Sequence, residues 1–265
     1  MSVSQLISKS TVRIECDVVG GRISVGTGFW FAFTLEGKRS IPLLITNKHV
    51  VAKSTAARIR LNVSSSTNPQ LKFYNLTIRE SSDFIQHPDP NIDICALPMG
   101  HFLSDLASQG ITVDSFFFTD RNFINQHHVT PVEEVFMTGY PNGLWDTVNN
   151  RPITRKGITA SSVLEDWQGM PKFMIDMACF GGSSGSPVYI MNEGGFPAPD
   201  GWAIGDRFIF LGVLHAGPTI DVNGSINIVD VPTVATPVVS TRLMMNLGMV
   251  IKAEQLNALR PLLGI

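Results

Sequence analysis

GTGFWFAFTLEGKRSIPLLITNKHVV, residues 26–51, is the stretch from which the fold is read. Two runs of apolar, aromatic and β-branched residues flank the turn pair Glu36–Gly37. Each run is too short for a typical amphipathic helix and has the composition of a strand. Working outward, STVRIECDVVGG (10–21) adds a strand ending at Gly20–Gly21, and RIRLNV (58–63), LKFYNLTI (71–78) and DICALPM (93–99) continue the pattern. After a looser stretch around 100–130 a second set follows: VEEVFMTGYP (132–141), KGITASSVLE (156–165), KFMIDMAC (172–179), SPVYIM (186–191), DRFIFLGVLHAG (206–217) and SINIVDV (225–231). A dozen or so strands with no alternating helices predict an all-β sandwich or barrel, not βαβ units. Only STRLMMNLGMVIKAEQLNALRP (240–261) reads as helical, with Ser240 or Thr241 as cap and Pro261 as stop. The organisation expected is two β subdomains, 1–118 and 119–238, closed by a C-terminal helical segment over 239–265.

Composition narrows the function classes. The 265 residues are 44% hydrophobic and 16% charged, with a formal net charge of -2. That describes a packed globular chain, with no broad attraction to nucleic acid or to an anionic membrane. No segment approaches the roughly 20 apolar residues of a membrane-spanning helix, and the first residues lack the charged start and apolar run of a signal peptide. Cys16, Cys95 and Cys179 are odd in number and widely spaced, which argues against a disulfide framework and a zinc site. The expectation is a cytoplasmic protein with reduced thiols, no metal and no cofactor.

Small residues crowd around one serine in CFGGSSGSPVYI (179–190). A nucleophilic serine needs backbone N–H groups aimed at a developing oxyanion, and glycines permit the backbone angles that arrange them. Gly182 and Ser184 would supply those two donors; the alternative is a plain Gly/Ser-rich turn. Ser183 competes, because residues 181–185 also satisfy G-x-S-x-G, the nucleophile elbow of α/β-hydrolases. That fold requires the order Ser, then Asp or Glu, then His, on a strand–turn–helix. Here a strand follows at once, and the one later histidine, His215, lies in an apolar strand, so Ser184 is preferred. Its base must come from six histidines. His49 ends an apolar strand; His87 lies in the loop QHPDP, His127 and His128 in a surface loop, and His101 has nothing supportive nearby. Asp93, where a loop becomes a buried strand, either caps that turn or orients a base.

The combination resembles the trypsin-like, chymotrypsin-fold serine peptidases, most of all the bacterial HtrA/Do-type and small intracellular branch. GTGFWF is similar to that branch's G-[ST]-G-F strand, ITNKHVV to its T-N-x-H-V signature, IDICALP to the segment carrying the acid, and IDMACFGGSSGSPV (175–188) to the segment around the nucleophile. GYPNG (139–143) and RKGITAS (155–161) resemble the segments that open the second barrel. The resemblance implies two six-stranded antiparallel β-barrels of chymotrypsin type. It implies His49, Asp93 and Ser184 as catalytic triad, Gly182 and Ser184 as oxyanion hole, and a protein or peptide as substrate. Ser183 stands where zymogen-activated relatives carry an aspartate, so their activation switch is not expected.

By the same resemblance Ala178 lies at the base of the specificity pocket and Phe180 narrows it, which implies cleavage after small or medium apolar residues. Ala216 and Gly217 would hold the substrate backbone. His215 either supports Asp93 or lines the pocket. Two other classes stay open: a latent or silent peptidase-like module that binds partner proteins and is switched on by one, and an esterase using the same triad.

Overall fold

A computed structural model describes residues 2–18, 20–52, 54–124, 128–198, 201–217, 219–225 and 238–265. The N-terminal half runs through the short helix α1 (Val3–Leu6), then β1 (Thr11–Val18), β2 (Arg22–Thr34) and β3 (Ser40–Thr46). After α2 (Lys48–Val51) come β4 (Ser54–Ser65), β5 (Phe73–Ile78), β6 (Ile85–Gln86), β7 (Cys95–Pro98), α3 (Gly100–Ser108), β8 (Ile111–Val113) and β9 (Phe118–Thr119). The C-terminal half contributes β10 (Glu134–Gly139), β11 (Ile153–Thr159), β12 (Lys172–Asp176), β13 (Pro187–Asn192) and the hairpin β14 (Phe196–Ala198) and β15 (Gly201–Ala203). It continues with β16 (Arg207–Ala216), β17 (Thr219–Ser225), β18 (Val238–Met244) and β19 (Leu247–Lys252). The all-β expectation holds. The strand expected at 225–231 lies, beyond Ser225, outside the described residues, and α3 occupies part of the stretch that shows no clear periodicity.

Among the described residues one closed barrel is present, β10-β11-β12-β19-β16-β13, of six strands. The N-terminal half is a nine-stranded sheet along β5-β4-β1-β2-β3-β7-β6, with β8 on β4 and β9 on β2. Its path ends, β5 and β6, do not pair with each other among the described residues, so a second closed six-stranded barrel is not what the pairing gives. The β2–β9 pair is parallel, another departure from a purely antiparallel sheet. No helix among the described residues is long and apolar enough to cross a membrane.

The alternation of β2 shows how the halves meet. Phe29, Phe31 and Phe33 point to one face and are fully buried. They join Phe118, Tyr189, Phe210, Ile251 and Leu256 in a core built from both halves. Phe118 and Phe210 approach to 4.9 Å between ring centroids, within the range where aromatic pairs add to burial. Trp30 faces the other way, into the core of the first sheet, against Phe117. Both faces of β2 are thus buried, which is why it reads as a continuous apolar run instead of an alternating one.

The helical reading of 239–265 is corrected. Residues 247–252 form β19, the strand that closes the barrel between β12 and β16. Gly248 is required there because a Cβ would crowd Cys179 Sγ, Leu214 and Ile175. Only after Lys252 does the chain turn helical, and then as a 3₁₀ segment over Ala253–Leu259. Ala253, Leu256 and Leu259 are all fully buried; their three-residue spacing matches a period of 3.0, which stacks i and i+3 on one face. Leu256→Ala should therefore destabilise the protein by about 2–5 kcal/mol. Urea unfolding checks this, and a loss below about 1 kcal/mol would show that the segment is merely laid on the core.

Candidate active site

Register places the first two groups. Thr46, the last residue of β3, pairs with Cys95, the first of β7, so the residues just after one strand and just before the other are neighbours. His49 lies on α2, after β3; Asp93 lies in the loop entering β7, between Ile92 and Ile94, both buried. Asn47, itself fully buried, donates its Nδ2 to the Asp93 carbonyl at 2.7 Å. Lys48 Nζ donates to the His87 and Asp89 carbonyls, both at 3.0 Å. The loop carrying Asp93 is tied to the helix carrying His49 on both sides.

Asp93 is the hub. Its Oδ1 accepts the His49 backbone N–H at 3.0 Å, and its Oδ2 bonds Nδ1 of His49. The same Oδ2 also lies 2.9 Å from Nδ1 of His215, near the end of β16. Two imidazoles thus meet on one carboxylate oxygen. Burial pushes the Asp93 carboxyl up, but the hydrogen bonds from His215 and His49, with the His49 charge and backbone N–H, outweigh it and hold the group well below the usual carboxylate range.

Ser184 sits in a loop that only glycines can shape. Gly182 has φ 82° and Gly185 φ 87°, and a Cβ would overlap the Tyr140 carbonyl at the first and the Thr27 carbonyl at the second. Thr27, on β2, is the strut beneath this loop. Its N–H donates to the Ser184 carbonyl at 2.9 Å, its hydroxyl to the Gly182 carbonyl at 2.9 Å, and its carbonyl accepts the Thr46 hydroxyl at 2.7 Å. Asn142 N–H donates to the Gly181 carbonyl at 2.6 Å. The N–H groups of Ser183, Gly185 and Ser186 are engaged by backbone carbonyls, whereas those of Gly182 and Ser184 have no acceptor among the described residues. Ser183 is 1% exposed, which puts its hydroxyl inside the protein; Ser184 is half-buried and reachable.

Ser184 Oγ donates to the His215 carbonyl at 3.5 Å, and no hydrogen bond joins it to the His49 ring among the described residues. Ala178 and Phe180 are half-buried in the segment before the loop. Arg155 on β11 donates to the Ala178 carbonyl at 2.5 Å and lies over the Phe180 ring at 4.7 Å. A Cβ on Gly217 would meet the Leu247 carbonyl at 3.1 Å and Cys179 at 3.4 Å, so residue 217 lies against the segment 178–180. Ala216 ends β16, paired through its backbone with Met249.

All three cysteines are free and buried. Burial pushes the Cys179 thiol up to about 11 and the Cys95 thiol higher still, the opposite of what a nucleophilic thiolate needs. His87 is buried and accepts the Asp89 N–H at 3.1 Å; it shapes its own turn. His101 lies exposed on α3, and His127 is outside the described residues.

By sequence, the trypsin-like peptidase domain matches residues 26–195, more than half of the chain. The chain belongs to the trypsin-like peptidase family. This trypsin-like peptidase is, by that membership, a serine endopeptidase. No curated protein matches its sequence. Among solved structures, the Rv3671c protease from M. tuberculosis in its active form is 14% identical, with a TM-score of 0.47 over 98% of this chain and 82% of that one. Deg5 is 16% identical, with a TM-score of 0.46 over 80% and 81%. The HtrA-type protease AlgW is 15% identical, with a TM-score of 0.43 over 79% and 60%. Four residues of the peptidase's site escaped the sequence reading: Thr27, Asn47, Asn142 and Arg155. All four lie inside stretches singled out there, Thr27 in the G-T-G strand, Asn47 in the T-N-x-H signature, Asn142 in GYPNG and Arg155 in RKGITAS, so a signal for them is present.

Proposed function

We propose that this peptidase cleaves peptide bonds through His49, Asp93 and Ser184, with the Gly182 and Ser184 N–H groups as oxyanion hole. The observation that carries this reading is the Asp93 carboxylate. It accepts from both Nδ1 and the backbone N–H of His49, so the imidazole is fixed in the tautomer whose Nε2 lone pair is free. Ser184 Oγ attacks the scissile carbonyl and passes its proton to His49 Nε2. Asp93 stabilises the imidazolium that forms. The carbonyl oxygen, now negative, takes up the two uncommitted N–H groups of the Gly182–Gly185 loop. His49 then protonates the leaving amine, and water hydrolyses the acyl-enzyme by the same steps in reverse.

His215 is assigned as a positioning residue that holds Asp93 through the same Oδ2 that His49 bonds, rather than as a reader of the substrate side chain. The edge of β16 supports a substrate strand. Its pairing with β13 ends at Val213, Leu214 is bonded to Ser186 and Gly185, and His215 to Gly217 follow with no strand on that edge among the described residues. With Ala178 small and Phe180 beside it, the pocket is assigned to small or medium apolar residues. The Arg155 guanidinium is turned to the Ala178 carbonyl and the Phe180 ring.

One observation favours a latent resting form. The Ser184 hydroxyl makes only a long 3.5 Å contact to the His215 carbonyl and no hydrogen bond to His49 among the described residues, and a bound substrate or a protein partner would bring the two into contact. A fluorophosphonate probe tests the assignment. Ser184→Ala is expected to abolish labelling while Ser183→Ala keeps it; labelling that survives in Ser184→Ala, or that is lost in a folded Ser183→Ala, overturns it. A peptide library then separates peptidase from esterase and defines the pocket.

A further inference from the structure

A triad needs one imidazole on its acid; this chain brings two. Nδ1 of His49, Nδ1 of His215 and a carboxylate oxygen of Asp93 lie within 4.8 Å of one another. The two rings stand edge to face, at 72° with centroids 6.1 Å apart, and both present the same nitrogen to the space beside Oδ2. Two imidazoles and one carboxylate are the donor set that suits Zn²⁺. We propose that His49, Asp93 and His215 form an inhibitory binding site for Zn²⁺, built across the catalytic groups themselves.

The geometry fits the ion. A tetrahedral Zn²⁺ with bonds of about 2.1 Å spaces its donors about 3.4 Å apart, a value between the present 2.9 Å contact of His215 with Asp93 and the 4.8 Å limit of the cluster. Small rotations of the two rings away from Oδ2 therefore open the site without moving the backbone. The carboxylate is held from behind, since Oδ1 keeps the His49 N–H at 3.0 Å and Asn47 grips the Asp93 carbonyl. Such outer partners orient ligands and raise affinity. The His49 side chain is 48% exposed while Asp93 is 14% exposed, so the ion has a route in along one side and a fourth position open to water.

The consequence for chemistry follows from proton placement. Zn²⁺ takes the Nδ1 lone pair of each ring, so the proton that each Nδ1 carries moves to Nε2 of the same ring and none is gained or lost. His49 Nε2 then carries a hydrogen and has no lone pair for the Ser184 proton. The base is removed while the serine and the oxyanion donors stay in place. Metal binding itself does not depend on the peptidase reading; only the inhibition rests on it.

The test uses the untagged full chain carrying Ser184→Ala, which cannot digest itself. Titration with Zn²⁺ alone against a chromogenic chelator should give one site. Co²⁺ in its place should show the visible d–d bands of a tetrahedral nitrogen–oxygen site. His49→Ala and His215→Ala, each added to Ser184→Ala, should weaken Zn²⁺ by more than the 10- to 100-fold that loss of an outer partner costs. Absence of the tetrahedral bands in the folded Ser184→Ala protein overturns the proposal without recourse to any ligand variant. Zn²⁺ affinity unchanged from Ser184→Ala in either histidine variant also overturns it. With Ser184 intact, Zn²⁺ should block fluorophosphonate labelling and a chelator should restore it; labelling that persists at saturating Zn²⁺ overturns the inhibitory role. If the metal-free protein is never labelled, the triad reading has failed while the binding result stands by itself.

Discussion

Asp93→Asn is expected to lower kcat/KM by about 10⁴-fold with little change in the melting temperature. The two side chains are nearly the same size, so packing between Ile92 and Ile94 survives, and the Asn47 bond goes to the unchanged backbone carbonyl. What changes is the donor count. Asp93 now accepts at Oδ2 from two imidazoles and at Oδ1 from a backbone N–H. An amide has one acceptor oxygen and one donor nitrogen, so at least one of these donors would face an N–H group. If the His49 Nδ1 proton is the one displaced, the ring shifts to the tautomer with Nε2–H and cannot accept from Ser184. Steady-state kinetics on a peptide ester or amide substrate, with melting of both proteins alongside, checks this. A loss of less than about 10-fold would remove Asp93 from the triad.

The largest effect on stability is expected away from the site. Arg207, at the start of β16, pairs with Glu133, just before β10, at 2.6 Å between Nη2 and Oε2, with side chains 4% and 7% exposed. The guanidinium also donates to Asn192 Oδ1 and the His128 carbonyl, and Glu133 Oε1 accepts from Thr130. Glu133→Leu leaves a positive charge buried with its remaining partners neutral, and should cost about 3–5 kcal/mol. For a chain of this size that is roughly 10 °C in Tm. Glu133→Leu combined with Arg207→Met removes the stranded charge and should recover most of the loss, because the intact pair gains little over apolar residues of similar volume. Thermal and urea unfolding of the wild type, the two single variants and the double variant give the coupling. A double variant less stable than either single would show that the ions themselves stabilise the barrel.

Legibility in the sequence followed the range of the interaction involved. The apolar runs of β2 and β3 were plain, since a strand buried on both faces writes its burial as composition. Ser184 was separable from Ser183 because the strand Pro187–Asn192 begins almost at once and excludes an elbow. The tail reads as helical because Ala253–Leu259 has good helix formers and no turn residue separates it from Leu247–Lys252. What makes 247–252 a strand is the open slot between β12 and β16, a demand from strands that lie more than thirty residues back. Closure of the first sheet is not legible in the same way, since local pattern predicts strands and not which edges meet.

The sequence by itself determined which residues can do chemistry and in what order they stand. It set the glycines at 182 and 185, where the chain takes positive φ and lies against Tyr140 and Thr27, and the polar residues at strand ends, because both are fixed by local backbone needs. Only the tertiary structure decided which group His215 meets. Its place 122 residues from Asp93 along the chain carries no mark in the sequence, and its bond exists because β16 of the second half runs up against the loop entering β7 of the first. Whether a histidine reads a substrate, supports an acid or binds a metal depends on what lies within about 3 Å of its nitrogens, and that is set by how the two halves pack.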